Sequence, residues 1–172
     1  MPVIKRAPIP QGSFLERYQD EGSYADCYVA KLPGHVSQAD FVTAFYTTGL
    51  FRLERRILSV FARRPSSDDE AAELARGERD SFAAWQVEQR SDNELLLCDF
   101  SGRTRSWLMT EPVDVGAASG GTLLRFGSAV VPRTDPASGE RSLGPVFGAL
   151  LGFHKMYSRL LLRAACARLR TD

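Results

Sequence analysis

The chemistry open to this chain starts with one imidazole. His154 lies in a long apolar segment, directly after Phe153 and with Ser158 four residues on. Histidine is the side chain whose ordinary charge change falls nearest neutral pH. A neutral imidazole there would bind a ligand oxygen or move a proton as general acid or base. The plainer reading is a core histidine hydrogen-bonded to a strand carbonyl or to an acidic side chain. The other histidine, His35, follows Pro33-Gly34 and belongs in a solvated turn. Two histidines so far apart, with no cysteine or carboxylate at ligand spacing, argue against a metal site.

Arg105 is the second group of interest. It shares strand parity with Trp107 and Met109, so an inward-facing Trp107 would carry the guanidinium inside with it. A buried guanidinium needs a carboxylate or an anionic ligand, and Asp26 and Asp99 are the internal partners on offer. Arg125 raises the same question beside Leu123, Gly127 and Ala129. Trp85, Trp107, Tyr24 and Tyr28 suit a pocket wall or a sheet core equally. Cys27 or Cys98 with His154 and Asp99 has the composition of a thiol triad, but no nucleophile elbow or oxyanion loop accompanies it. The glycine-rich segment 116–121 lacks the lysine and following helix of a phosphate loop. No cofactor is expected.

Period and turn residues define the elements that must position these groups. Residues 1–22, with three prolines, read as an N-terminal arm, and 23–172 as a single domain. Residues 24–32 have strand composition, Tyr24, Asp26, Tyr28 and Ala30 pointing one way. Ser37 should cap a helix carrying Phe41, Val42, Phe45 and Tyr46. Gly49 breaks it, and a second helix from 50 to about 63 carries Leu50, Leu53, Ile57 and Phe61 on one side, with Arg52, Arg55, Arg56, Arg63 and Arg64 decorating it. Ser67 or Asp68 caps a short acidic helix that Gly77 ends. The period then alternates over 82–90, 94–100, 103–111 and 121–132, with tight turns at 91–93 and 101–102, which predicts an antiparallel meander. Residues 113–115 extend or bulge the next edge, and 117–121 and 134–141 are loops.

The last element is a helix over 143–170, about 40 Å long. Val146, Leu150, Phe153, Tyr157, Leu161 and Ala164 form its expected apolar face, and Gly144, Gly148 and Gly152 a stripe suited to close approach or to gating. Segregated strands and helices of this kind predict an α+β fold, a curved antiparallel sheet wrapped around the terminal helix.

That outline resembles the helix-grip fold of the START and polyketide-cyclase-like superfamily, to which birch-pollen-allergen-like proteins belong. Asp92-Asn93-Glu94-Leu95-Leu96-Leu97, with Trp107-Leu108 a strand later, is similar to the meander of a bacterial subfamily of unknown function. Phe153-His154-Lys155 followed by Leu160-Leu161-Leu162-Arg163 is similar to its Phe-His-Arg/Lys helix segment. The similarity spans 24–168. It implies an apolar cavity between sheet and terminal helix and brings no catalytic residues with it.

Composition narrows the rest. The 172 residues are 44% hydrophobic and 25% charged with net charge +1, as in an ordinary globular domain. That balance gives no argument for nucleic acid, and the arginines at 52–64 lack exposed aromatics and run into the acidic stretch 68–73. The odd number of cysteines fits reduced thiols in a cytoplasmic protein. Residues 1–10 have no secretory h-region, and the apolar run 146–153 is too short to span a membrane. The expectation is a monomeric or homodimeric module binding an apolar or aromatic small molecule, with Trp85, Arg105, Trp107, His154 and Tyr157 as its lining. Arg105 would anchor a carboxylate at one end. The alternatives are a cyclase or hydratase in which His154 moves a proton, and an interaction domain with a collapsed cavity and the arginine-bearing second helix as its contact surface.

Overall fold

The computed structural model describes residues 2–53, 55, 66–113, 120–134 and 136–170, with the backbone alone for 145–147, 149 and 150. In chain order the elements are β1 (Lys5–Arg6), α1 (Glu16–Asp20), β2 (Tyr24–Pro33), α2 (Gln38–Tyr46), α3 (Asp68–Arg76), β3 (Ser81–Phe82), β4 (Trp85–Arg90), β5 (Glu94–Asp99), β6 (Thr104–Val113), β7 (Gly121–Val130), β8 (Arg133–Thr134), β9 (Arg141–Ser142) and α4 (Pro145–Arg168). β1 to β7 make one open antiparallel sheet in the order β1-β2-β7-β6-β5-β4-β3, and β8 and β9 pair separately. The fold is α+β, with the long helix last.

Local chemistry explains the boundaries. The Ser37 hydroxyl accepts from the Asp40 amide at 3.0 Å and caps α2. Ser67 and Glu70 form a reciprocal capping box at α3, and Gly77 ends that helix at φ 79°, where a Cβ would be strained. Asp99 closes the β5–β6 turn by accepting from the amides of Arg103 at 2.8 Å and Thr104 at 2.9 Å. It is a turn residue and not a partner for Arg105. Residues 49–53 and 55 are helical; Arg56, Ile57, Phe61, Arg63 and Arg64 of the expected second helix lie outside the described residues, as do 114–119. Arg55 is bonded to Asp68 at 2.5 Å and to the Ser67 carbonyl at 2.9 Å, and Arg52 also pairs with Asp68. These two arginines tie the segment to the start of α3.

The sheet is buried on both faces. Against its inner face pack α2, α3 and α4, around Tyr28, Leu95, Leu97, Leu108, Leu124 and Phe126 from the strands. Phe45 is central, its ring 4.6 Å from Phe126 and 5.2 Å from Tyr46. Across the outer face runs the N-terminal segment, which packs Leu15 and Tyr18 on Cys27, Leu96, Trp107 and Ala129. The first residues are therefore built into the fold, with Lys5 and Arg6 paired to Val29 and Tyr28. Complete burial of one leucine such as Leu15 contributes about 1.5–3 kcal/mol.

Two expectations are corrected. Trp107 and Arg105 do not face the terminal helix. Ser106, Leu108 and Thr110 are the inward residues of β6, and Trp107 lies in the outer core. The buried face of α4 is also rotated from the expected one: Ser158, Leu161, Leu162, Ala165 and Cys166 are buried, while Phe153 is 58% exposed. The side chains of Val146 and Leu150 lie outside the described residues. Gly148 and Gly152 are exposed, and an added Cβ on either would meet nothing within 4 Å, so close packing does not account for them.

Candidate functional site

Strand register builds the site. Asp26 on β2 pairs with Ser128 on β7, which pairs with Ser106 on β6, so three polar residues stand in one row across the inner face. The row ends over apolar neighbours, since Ser106 pairs with Leu97 on β5. At one end of it the Tyr46 hydroxyl of α2 meets Ser106 Oγ at 2.9 Å. At the other, α4 delivers His154, one turn before the buried Ser158.

The hydrogen bonds converge on Asp26, whose side chain is 1% exposed. Ser128 Oγ donates to its Oδ1 at 2.7 Å, and the Tyr24 hydroxyl donates to Oδ2 at 2.8 Å. His154 Nε2 lies 2.8 Å from Ser128 Oγ and 3.6 Å from Asp26 Oδ2. A serine has one proton. With that proton engaged in the bond to Asp26, Ser128 accepts from His154, which places a hydrogen on Nε2. The result is a relay from a 24% exposed imidazole, through Ser128, to a buried carboxylate.

Electrostatics follow from this wiring. Burial alone would raise Asp26, but the bonds from His154, Ser128 and Tyr24 outweigh it and hold the carboxyl below the usual aspartate range. Tyr24 is pushed well above the usual phenol range, by burial first and then by Asp26 as its acceptor. Tyr28, two residues from Asp26, is raised by burial and by the same carboxylate. Its ring is wholly buried under the Arg159 guanidinium at 5.3 Å, and among the described residues its hydroxyl meets no partner within hydrogen-bond distance.

Serine, histidine and aspartate together match a hydrolytic triad in composition only. There the acid holds one imidazole nitrogen and the serine the other; here both lie on the Nε2 side. Ser128 is buried in mid-strand at 3% exposure, its hydroxyl hydrogen engaged in the bond it donates to Asp26. The thiol alternative fails as well: Cys27 faces the outer core with its pKa pushed up to about 11 chiefly by burial, and Cys98, opposite Arg105 in the ladder, lies on that outer face too with its thiol raised by burial.

The expected lining residues separate into two groups. His154, Tyr157 and Trp85 lie on the inner side, Tyr157 stacked on Phe153 at 5.8 Å and Trp85 with a buried Nε1 that has no partner among the described residues. Arg105 and Trp107 lie across the sheet. Arg105 Nε is 2.6 Å from Glu88 Oε2 and 2.8 Å from the Tyr18 hydroxyl. Trp107 Nε1 donates to Glu94 at 2.8 Å, and the same oxygen accepts the Phe14 amide at 2.9 Å. Arg125 pairs with Glu111 at 2.9 Å. Glu88 sits at the irregularity between Val87 and Gln89, where an extra residue re-aims the side chain.

Among the described residues no three His, Cys, Asp or Glu side chains cluster to hold a metal ion, and no helix is long and apolar enough to cross a membrane. Comparison with protein-family models, with curated proteins and with solved structures gave no match for the chain.

Proposed function

We propose that the protein is a small-molecule binding module of helix-grip type, with its site where α4 crosses β2 and β7. The observation that carries this reading is the buried Asp26, reached from solvent through the partly open imidazole of His154. Buried polar atoms without partners are rare and call for an explanation, and among the described residues the Tyr28 hydroxyl beside this relay is one. The aromatic cluster around Phe45 occupies the centre of the inner face, so the ligand belongs at the His154 end. Its class differs from the acid expected on Arg105, whose charge is committed to Glu88 on the far side of the sheet. A buried anion behind His154 favours an apolar or aromatic molecule with a neutral hydroxyl or carbonyl. A second reading rests on the relay itself. An imidazole oriented by Ser128 and Asp26 is equipped for proton transfer of the cyclase or hydratase kind.

The test uses purified protein, screened by thermal shift against matched phenols, ketones and carboxylic acids, with imidazole NMR of His154 as the local probe. Neutral compounds should raise the melting temperature and move the His154 signals, and both effects should vanish in His154→Ala. Stabilisation that persists in that variant, or a preference for acids, would remove this site from the reading.

A further inference from the structure

The outer surface of α4 has a use that the relay does not explain. Phe153, Met156 and Leu160 are 58%, 51% and 42% exposed. They recur at three- and four-residue spacing, and Ala164 and Ala167 continue their line. Alongside, turned by less than a quarter of the helix circumference, run the exposed Arg163 and Arg170, with Lys155 at the margin; Arg159, exposed as well, lies further round with its guanidinium 5.3 Å over the Tyr28 ring. The 24-residue helix contains no aspartate or glutamate. Eight arginines elsewhere stand within ion-pair distance of a carboxylate. Among the described residues no carboxylate pairs with Lys155, Arg159, Arg163 or Arg170.

We propose that this face of α4 docks on an anionic lipid surface: Phe153, Met156 and Leu160 enter the headgroup boundary, and the adjoining cations contact lipid phosphates and carboxylates. An exposed apolar line flanked by basic residues is the pattern of a helix lying in the membrane interface. Each cation near such a surface strengthens binding about fivefold. Charge selects this occupant over a second copy of the chain, since mating the face with itself would set cation against cation with no acid in the helix.

Full-length protein would be floated with vesicles of phosphatidylcholine alone, or with three parts in ten phosphatidylserine, at 0.1 M and 0.5 M salt. Binding is expected to the anionic vesicles only, and at the lower salt. Leu160→Glu and Arg163→Glu alter exposed positions and should keep the wild-type melting curve, yet each should weaken binding at least tenfold. Phe153→Trp should add an emission blue shift when anionic vesicles are present. The proposal is overturned by no binding to anionic vesicles, by equal binding to neutral ones, or by variants that bind as wild type. It is equally overturned if light scattering shows a dimer that Leu160→Glu dissociates, or if an acidic protein helix binds the face while vesicles do not.

Discussion

The two faces of the sheet are both buried, both contain carboxylates, and treat them differently. On the outer face Glu88 and Glu94 are closed by side chains from the N-terminal segment and from β6: Tyr18, Arg17 and Arg105 on one, Trp107 and the Phe14 amide on the other. That arrangement ties the segment before β2 to the strands. On the inner face Asp26 is bonded as thoroughly, but its chain of donors ends at an imidazole in partial contact with solvent. Glu94, buried and held by the buried Trp107 indole and the Phe14 amide, is a fastening, while Glu88 is only part-buried and one of its partners, Arg17, is itself in water. A buried acid whose last partner reaches water can report on, or act on, what arrives there.

The largest effects should come from loosening the outer face. Trp107 is fully buried, and Trp107→Ala should cost about 3–5 kcal/mol in denaturant melts, with Glu94 losing a donor besides. Trp107→Phe should cost less and isolate the Nε1 bond. Gly127, opposite Trp107 in the ladder, has no room for a methyl: an added Cβ would lie 2.5 Å from Leu15 Cδ2 and 2.8 Å from the Asp26 carbonyl. Gly127→Ala should therefore cost about 1–3 kcal/mol by overpacking. Values near zero for both would mean that the N-terminal segment is not docked as described.

Why the inner site was partly legible and the outer one not can be traced to particular residues. Ser37, Ser67 and Gly77 carry cap chemistry that acts within a few residues, so the helices they bound were readable from order alone. The parity of β2 correctly put Tyr24, Asp26 and Tyr28 on one side, and the reading of His154 as bonded to an acidic side chain matches its approach to Asp26. Ser128 was missed because a serine in a strand has no local signature; only register places it between His154 and Asp26. For β5 and β6, parity had nothing to work with: Leu95, Leu96 and Leu97 are all buried, on alternating faces. A strand covered on both sides loses the alternation that reveals direction. The partner of Arg105 was hidden for another reason, since Glu88 is re-aimed by the strand irregularity beside it. In α4, leucines and aromatics occupy more than one side, so helical spacing did not single out the buried one.

A smaller effect, specific to the inner face, should appear on acidification. The folded-state pKa of Asp26 is depressed below its ordinary value. Its ionised form therefore adds stability above about pH 4, the usual aspartate value, and that stability is lost as pH falls through the folded-state value. Asp26→Asn should cost about 1.5–3 kcal/mol near neutrality, the range for hydrogen bonds to a charged group. The difference from wild type should then shrink progressively below pH 4. If it stays constant down to pH 3, Asp26 is not the charged anchor of the relay, and the contrast between the faces loses its inner half.

The smallest expected effect, that of truncating Phe153, tests against Leu161 which side of α4 meets the sheet, on which the whole inner-face site depends. Leu161 is 3% exposed and Phe153 58% exposed, although helical spacing from Tyr157 assigns both to one stripe. Leu161→Ala should cost about 2–5 kcal/mol, because the core around it relaxes only partly into the space left. Phe153→Ala should change stability by less than about 0.5 kcal/mol, as surface substitutions usually do. The ring does stack on Tyr157 at 5.8 Å, but that contact lies at the protein surface and little area leaves water with it. The two melts together fix the rotation of the helix. A loss at Phe153 comparable to that at Leu161 would turn His154 away from Ser128 and Asp26, and the relay could not form.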